Sequence, residues 1–303
     1  ATVSARATPD GGFDRAKLAF DVKAKALRSS LPQLAGLSGN PLEAAAEARL
    51  DTAAQTLSGV RLDAGLGSAA LRLRDGRADL SKATGEARYA LELADLTALD
   101  PVLNMGLSGK GTLDGRLDVA ANADPILDAT LAGDLREVAW AKVGVLDALL
   151  GGPVQLDTRA RLAADGALRL TDTTIQSRAA KVTGGLAFPG DFASIDGDLT
   201  GRLADLGALG GAFDLPMSGA ADVAATLSGP TGDPTLEAEV RATETAVAGT
   251  DLGRVTIDTR LANLASGLNG PLAVTTGRSP AGPAEVAAEI ALGAGAFRLR
   301  DRK

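Results

Sequence analysis

The 303-residue chain has no histidine and no cysteine, which excludes imidazole and thiol catalysis, Cys/His zinc sites, haem ligation and disulfide frameworks. A net charge of −7, from 31 Lys and Arg against 38 Asp and Glu, argues against a nucleic-acid partner, because backbone binding runs on a cationic excess. Hydrophobic residues reach 45% with only 3% aromatics, and 37 glycines and 13 prolines interrupt the chain too often for long helices. The composition predicts short strands whose apolar side is Leu, Val and Ala.

In chain order, Asp10-Gly11-Gly12 reads as a hairpin turn, and Leu18, Phe20, Val22, Ala24 and Ala26 then alternate with mostly charged neighbours, a half-buried strand. Residues 31–39 carry Leu31, Leu34 and Leu37 at a spacing of three between Gly and Pro flanks and predict a short helix. Alternation returns at Ala46, Ala48 and Leu50, at Val60 and Leu62, and at Leu71 and Leu73, after which Asp75-Gly76 is expected to turn the chain. Tyr89, Leu91 and Leu93 precede a second short helix that starts near Leu93, and Leu113, Leu117 and Val119 follow it. Asp124-Pro125 opens the next strand pair. Residues 143–150 are apolar all round and stop at Gly151-Gly152-Pro153, which predicts a helix that cannot be exposed. Val154, Leu156, Thr158, Ala160 and Leu162 form the clearest alternation, and Asp165-Gly166 turns into Leu168 and Leu170. Leu236, Ala238 and Val240, then Val255 and Ile257, repeat the pattern before residues 261–282, which read as a loop, and residues 285–299 read as strand again. Roughly two dozen strands are expected at intervals of ~8–14 residues.

The chain also repeats itself. Leu93, Ala94, Asp95, Leu96, Ala98, Leu99, Ser108, Gly109 and Leu117 recur 110 positions on as Leu203, Ala204, Asp205, Leu206, Ala208, Leu209, Ser218, Gly219 and Leu227, and Val154 to Arg159 reappear as Val255 to Arg260 in modified form. Residues 1–303 are therefore read as one repetitive array with approximate blocks 1–92, 93–202 and 203–303. Because Phe297 to Asp301 restate Leu71 to Asp75, the chain is expected to be a fragment of something longer. Carboxylate pairs such as Asp75 with Asp79 or Asp196 with Asp198 have no partner cluster, and Gly109-Lys110-Gly111 lacks a phosphate-loop context, so no enzyme is expected. Trp140 and Tyr89 are expected in the core or at its rim.

An apolar stripe of this length needs a cover. The sheet can close on itself as a dry sandwich or a secreted solenoid of the adhesin type, pair with a partner's strands, or stay open as a trough for lipid. The abundance of Ala and scarcity of aromatics favour a hollow, since dry interiors close-pack.

The Leu-Ser-Gly starts at Leu107 and Leu227, the Asp-Pro-x-Leu openers at Asp100, Asp124 and Asp233, and the Ala-Asp-Leu helices between strand blocks resemble the TamB proteins of Gram-negative bacteria, with the AsmA-like proteins as wider relatives. The resemblance covers essentially the whole chain and is one of pattern and spacing, without a functional signature. It implies an all-β fold with a few short helices: an elongated curled sheet, or β-taco, built from ~100–110-residue repeats around an apolar groove. It further implies a periplasmic location with an inner-membrane anchor outside this segment, phospholipid acyl chains as cargo, a TamA-like outer-membrane β-barrel as partner, and outer-membrane proteins as possible clients, with no cofactor or metal. The groove positions come from the alternation: Phe20, Val22, Leu71, Leu73, Leu91, Leu113, Leu117, Val119, Leu156, Leu162, Leu168, Leu170, Leu236, Val240, Val255, Ile257 and Leu261.

Overall fold

The computed structural model describes residues 2–12, 14–25, 40–100, 106–141, 144–262, 269–277, 284–293 and 296–301, the side chains of 98, 99, 213, 288–293 and 296–301 excepted. These residues are mostly antiparallel β-sheet with a few short helices. The expected helix at 31–39 lies outside them. The chain divides into two compact units, residues 1–139 with 155–164, and residues 140–154 with 165–303.

The first unit is an antiparallel meander: β1 (Thr2–Pro9), β2 (Arg15–Ala24), β3 (Leu42–Asp51), β4 (Thr56–Leu66), β5 (Ala69–Asp79), β6 (Thr84–Leu93) and β7 (Leu107–Ala120) each pair with the next. Next come β8 (Leu127–Trp140), beside β7, and most of β9 (Gly152–Leu162). Between β6 and β7 a single 3-10 turn, Leu96–Leu99, is started by Asp95, whose carboxylate accepts the Thr97 N–H at 2.8 Å. The cap satisfies a donor that the turn itself leaves orphaned.

The second unit begins with helix α1 (Gly144–Leu150) and continues as β10 (Leu168–Gln176), β11 (Ala180–Phe188), β12 (Ser194–Leu203), helix α2 (Gly207–Phe213), β13 (Met217–Pro230), β14 (Thr235–Val247), β15 (Thr250–Leu261), β16 (Asn269–Thr276), β17 (Ala284–Gly293) and β18 (Ala296–Asp301), again with antiparallel neighbours in sequence order. Asp205 accepts the Gly207 N–H at 2.7 Å at the start of α2, as Asp95 does 110 positions earlier.

Several expectations need correction. The described residues hold eighteen strands, fewer than two dozen, because individual strands run as long as 14 residues. Asp75-Gly76 does not turn the chain: β5 passes through it, with Asp75 left-handed (φ 55°) as a bulge and Gly76 opposite Val60. A side chain at Gly76 would sit 2.7 Å from the Val60 Cβ, so the glycine serves close strand approach. Part of the presumed loop at 261–282 is β16, whose Leu272 and Val274 lie opposite Thr259 and Ile257. Helix α1 is half-buried, with no fully buried residue. β1, for which no strand is expected, alternates Val3, Ala5 and Ala7 with Ser4, Arg6 and Thr8 and is exposed along its whole length.

Candidate functional site: an uncovered apolar sheet face

In an antiparallel ladder, directly opposed residues point to the same face, so the register converts strand alternation into rows that run across the sheet. In the first unit Val3, Val22, Ala44, Ala64, Leu71, Leu91 and Leu113 stand side by side on β1 to β7. At ~4.8 Å per strand that row extends about 29 Å. The adjacent row is Phe20, Ala46, Leu62, Leu73, Tyr89 and Gly115. Leu113 and Leu156 flank Gly133 of β8, where an added Cβ would meet them at 2.7 and 3.2 Å, so the apolar surface continues onto β9.

Gly115 is kept small by its neighbours. A Cβ there would lie 1.7 Å from the Thr130 carbonyl oxygen and 3.0 Å from the Tyr89 hydroxyl. Tyr89 reaches past this strand and donates to that same carbonyl at 2.9 Å. Burial, assisted by the charge of Asp114, pushes the phenol up to about 12.

The second unit has the same construction. One row is Val182, Gly201, Val223, Val240, Ile257, Val274 and Val286; another is Leu170, Leu186, Gly197, Leu227, Leu236 and Leu261. A third row, Ala180, Leu203, Ala221, Ala242 and Val255, differs in being buried, because Leu206 lies over it and Leu149 of α1 and Leu209 of α2 pack alongside. The two helices touch each other and cover one end of the strands. In the first unit Leu93, Leu96 and Leu107 are buried about the 3-10 turn in the same manner.

Burial therefore separates covered from uncovered rows. Only thirteen hydrophobic residues are buried among those described, and most of them gather near the helices and the 3-10 turn. Leu71, Leu73, Leu91, Leu113, Leu227 and Leu236 are half-buried: neighbours in the row shield their flanks, while the face above them is not sealed.

The opposite face is charged and paired across strands. Arg72 meets Glu92 at 3.1 Å, Arg74 meets Asp63 at 2.6 Å, and Arg116 bridges Glu86 and Asp118. Arg159 grips Asp128 through two nitrogens at 2.7 and 2.6 Å, with Arg161 at 3.3 Å. The hydrogen bond from Arg159 is the largest influence holding the Asp128 carboxyl below its ordinary value. Two depressions take in residues of this charged side. One of about 760 Å³ is lined by Asp198, Glu237 and Arg260 together with Leu199, Ala238 and Leu272, and another of about 760 Å³ by Arg77, Glu86 and Asp118 together with Leu57, Ala78 and Val119.

The nominated groove residues are distributed as follows. Val22, Leu71, Leu91 and Leu113 share one row, Phe20 and Leu73 the next, and Leu117 lies opposite Ala87. Leu156 joins them through Gly133, and Leu162 closes β9, accepting the Ile126 N–H through its carbonyl. Leu170, Leu236 and Leu261 share a row in the second unit, Val240 and Ile257 another, and Leu168 lies opposite Phe188. Val255 belongs to the helix-covered row, and Phe20 and Val119 are exposed at 45% and 38%. Val119 alone of the nominated residues borders either of the two large depressions. The alternation missed Val182, Val223 and Val274, which complete the valine row, and Leu206 and Leu209, which cover the buried one.

Among the described residues no group of three carboxylates is placed to hold a metal ion, and no helix is long and apolar enough to cross a membrane. Comparison with family models, curated proteins and solved structures returns no match for the chain.

Proposed function

We propose that this chain is a non-enzymatic, TamB-like element of outer-membrane biogenesis that holds phospholipid acyl chains against its uncovered apolar rows. The observation that carries the reading is the contrast within one face: the row under Leu206 is buried, whereas the row Leu170, Leu186, Gly197, Leu227, Leu236 and Leu261 is uncharged, largely apolar and only half-buried. Each methylene laid on such a surface gains ~0.8 kcal/mol. A lining of Leu, Val and Ala without polar landmarks gives one position little advantage over the next, so a chain can move along a row at small cost. Headgroups stay in water, because no charged residue interrupts these rows.

On this reading the sheet curls as a β-taco and is assembled from repeats of roughly 100–110 residues. Matching local devices support the repeat. Asp95 and Asp205 start the short helical segments, Leu96 and Leu206 are both buried beside them, and Gly109 and Gly219 are left-handed where they face the bulged Glu137 and Glu244. The protein would act in the periplasm, tethered to the inner membrane through a segment outside this sequence and delivering to a TamA-like β-barrel, with outer-membrane proteins as further clients.

A titration of the purified chain with a pyrene-labelled phospholipid tests the proposal. Saturable binding is expected, abolished by Leu236→Asp in a chain that keeps its strand circular dichroism. Absence of binding by the folded, delipidated chain would contradict it and favour a closed structural sheet.

A further inference from the structure

Two of the six phenylalanines in the sequence meet at the end of the second unit's strands remote from α1 and α2. Phe188 ends β11 opposite Leu168 and continues the face that carries Leu186 and Leu170. Phe192 follows in the turn to β12, its ring centroid 5.8 Å from that of Phe188 and its side chain still 36% exposed.

The backbone at Phe192 is left-handed, with φ 55°. Nine described residues other than glycine share that sign of φ, and Phe192 is the one aromatic among them. A bulky side chain is unfavourable there, and Gly or Asn would form the turn more easily. The conformation is nevertheless fixed: the Phe192 N–H donates to Pro189 O at 2.9 Å, and its carbonyl accepts the Thr231 hydroxyl at 2.8 Å. What phenylalanine adds over glycine is a ring, held at the rim of an apolar face. Neither this turn nor the adjoining one at residues 230–234 contains a Lys or Arg, so nothing there selects a phosphate.

We infer that Phe188 and Phe192 form an aromatic lip that contacts the acyl tail of a phospholipid as the tail passes between water and the apolar rows of the second unit. The inference rests on the lipid-holding reading above and adds a position of contact. Strain at a fixed site next to a ligand surface is consistent with such a clamp.

The test places a photoreactive benzophenone amino acid at position 192 and, separately, at position 236 within the uncovered row. Each chain is loaded from vesicles of phosphatidylethanolamine and phosphatidylglycerol, freed of them by flotation, and irradiated. Lipid adducts at both positions are expected. An adduct at 236 with none at 192 overturns the lip and leaves the lipid reading standing; adducts at neither overturn both. Phe192→Gly, which suits the left-handed backbone, should lower the lipid-loaded fraction at limiting lipid roughly tenfold while the thermal midpoint is retained. Unchanged loading in that variant also overturns the lip, and the adduct pattern decides independently if the variant is destabilised.

Discussion

The same substitution at two leucines of the second unit separates a covered from an uncovered row. Leu203 is 7% exposed between Ala180 and Ala221, under Leu206. Aspartate there forfeits the ~1.5–3 kcal/mol of a buried leucine and adds the cost of a carboxyl group with no water, on the order of 5 kcal/mol in total. Leu236 stands between Leu227 and Leu261 in a row that neither described helix covers. Aspartate there loses about half of the leucine term, roughly 1–1.5 kcal/mol, and its carboxylate reaches solvent. Urea unfolding followed by far-UV circular dichroism should therefore show Leu203→Asp shifting the midpoint several times further than Leu236→Asp. Equal and large shifts would mean that the row containing Leu236 is sealed core, and the account of an open face would fail.

Gly115→Ala should destabilise the first unit by about 2–4 kcal/mol, since the new methyl collides with the Thr130 carbonyl and breaks the Tyr89 hydrogen bond. Tyr89→Phe alone should cost about 1 kcal/mol, and much less in the Gly115→Ala background, because both changes remove one contact. The raised Tyr89 value means that the folded state retains its proton after the unfolded chain has lost it, so the contribution is complete below pH 10 and declines as pH rises towards 12. Alkaline denaturation should be shallower in Tyr89→Phe. Asp128 has the opposite sign: its lowered value stabilises the fold above the ordinary 3.8 and is lost as pH falls below it, so Asp128→Asn should flatten the acid limb and cost about 1 kcal/mol at neutral pH.

The strand alternation was legible because one side of each strand is Leu, Val and Ala and the other Arg, Asp and Glu, a pattern that period-two geometry requires when only one face is apolar. Which residues share a row was not. Register depends on bulges such as the one at Asp75, and Asp75-Gly76 reads locally as a turn although β5 continues through it. Cover was equally hidden. Val255 and Ile257 look alike in sequence, yet Val255 falls in the row that Leu206 covers and Ile257 in the one beside it. Gly115 carries no turn signal, because its need for smallness is imposed by a carbonyl on the neighbouring strand. The Phe188 and Phe192 pair escapes a periodic reading because half of it lies in a turn.

The uncovered rows are proposed to hold acyl chains. Native mass spectrometry of the chain purified without detergent from a Gram-negative host, followed by denaturing lipid identification, tests this most directly. Phospholipid should be bound to the wild-type chain and lost from Leu236→Asp, with the fold intact in both; a well-folded wild-type chain that carries no lipid, and takes none up from vesicles, would rule out the open lipid-holding face.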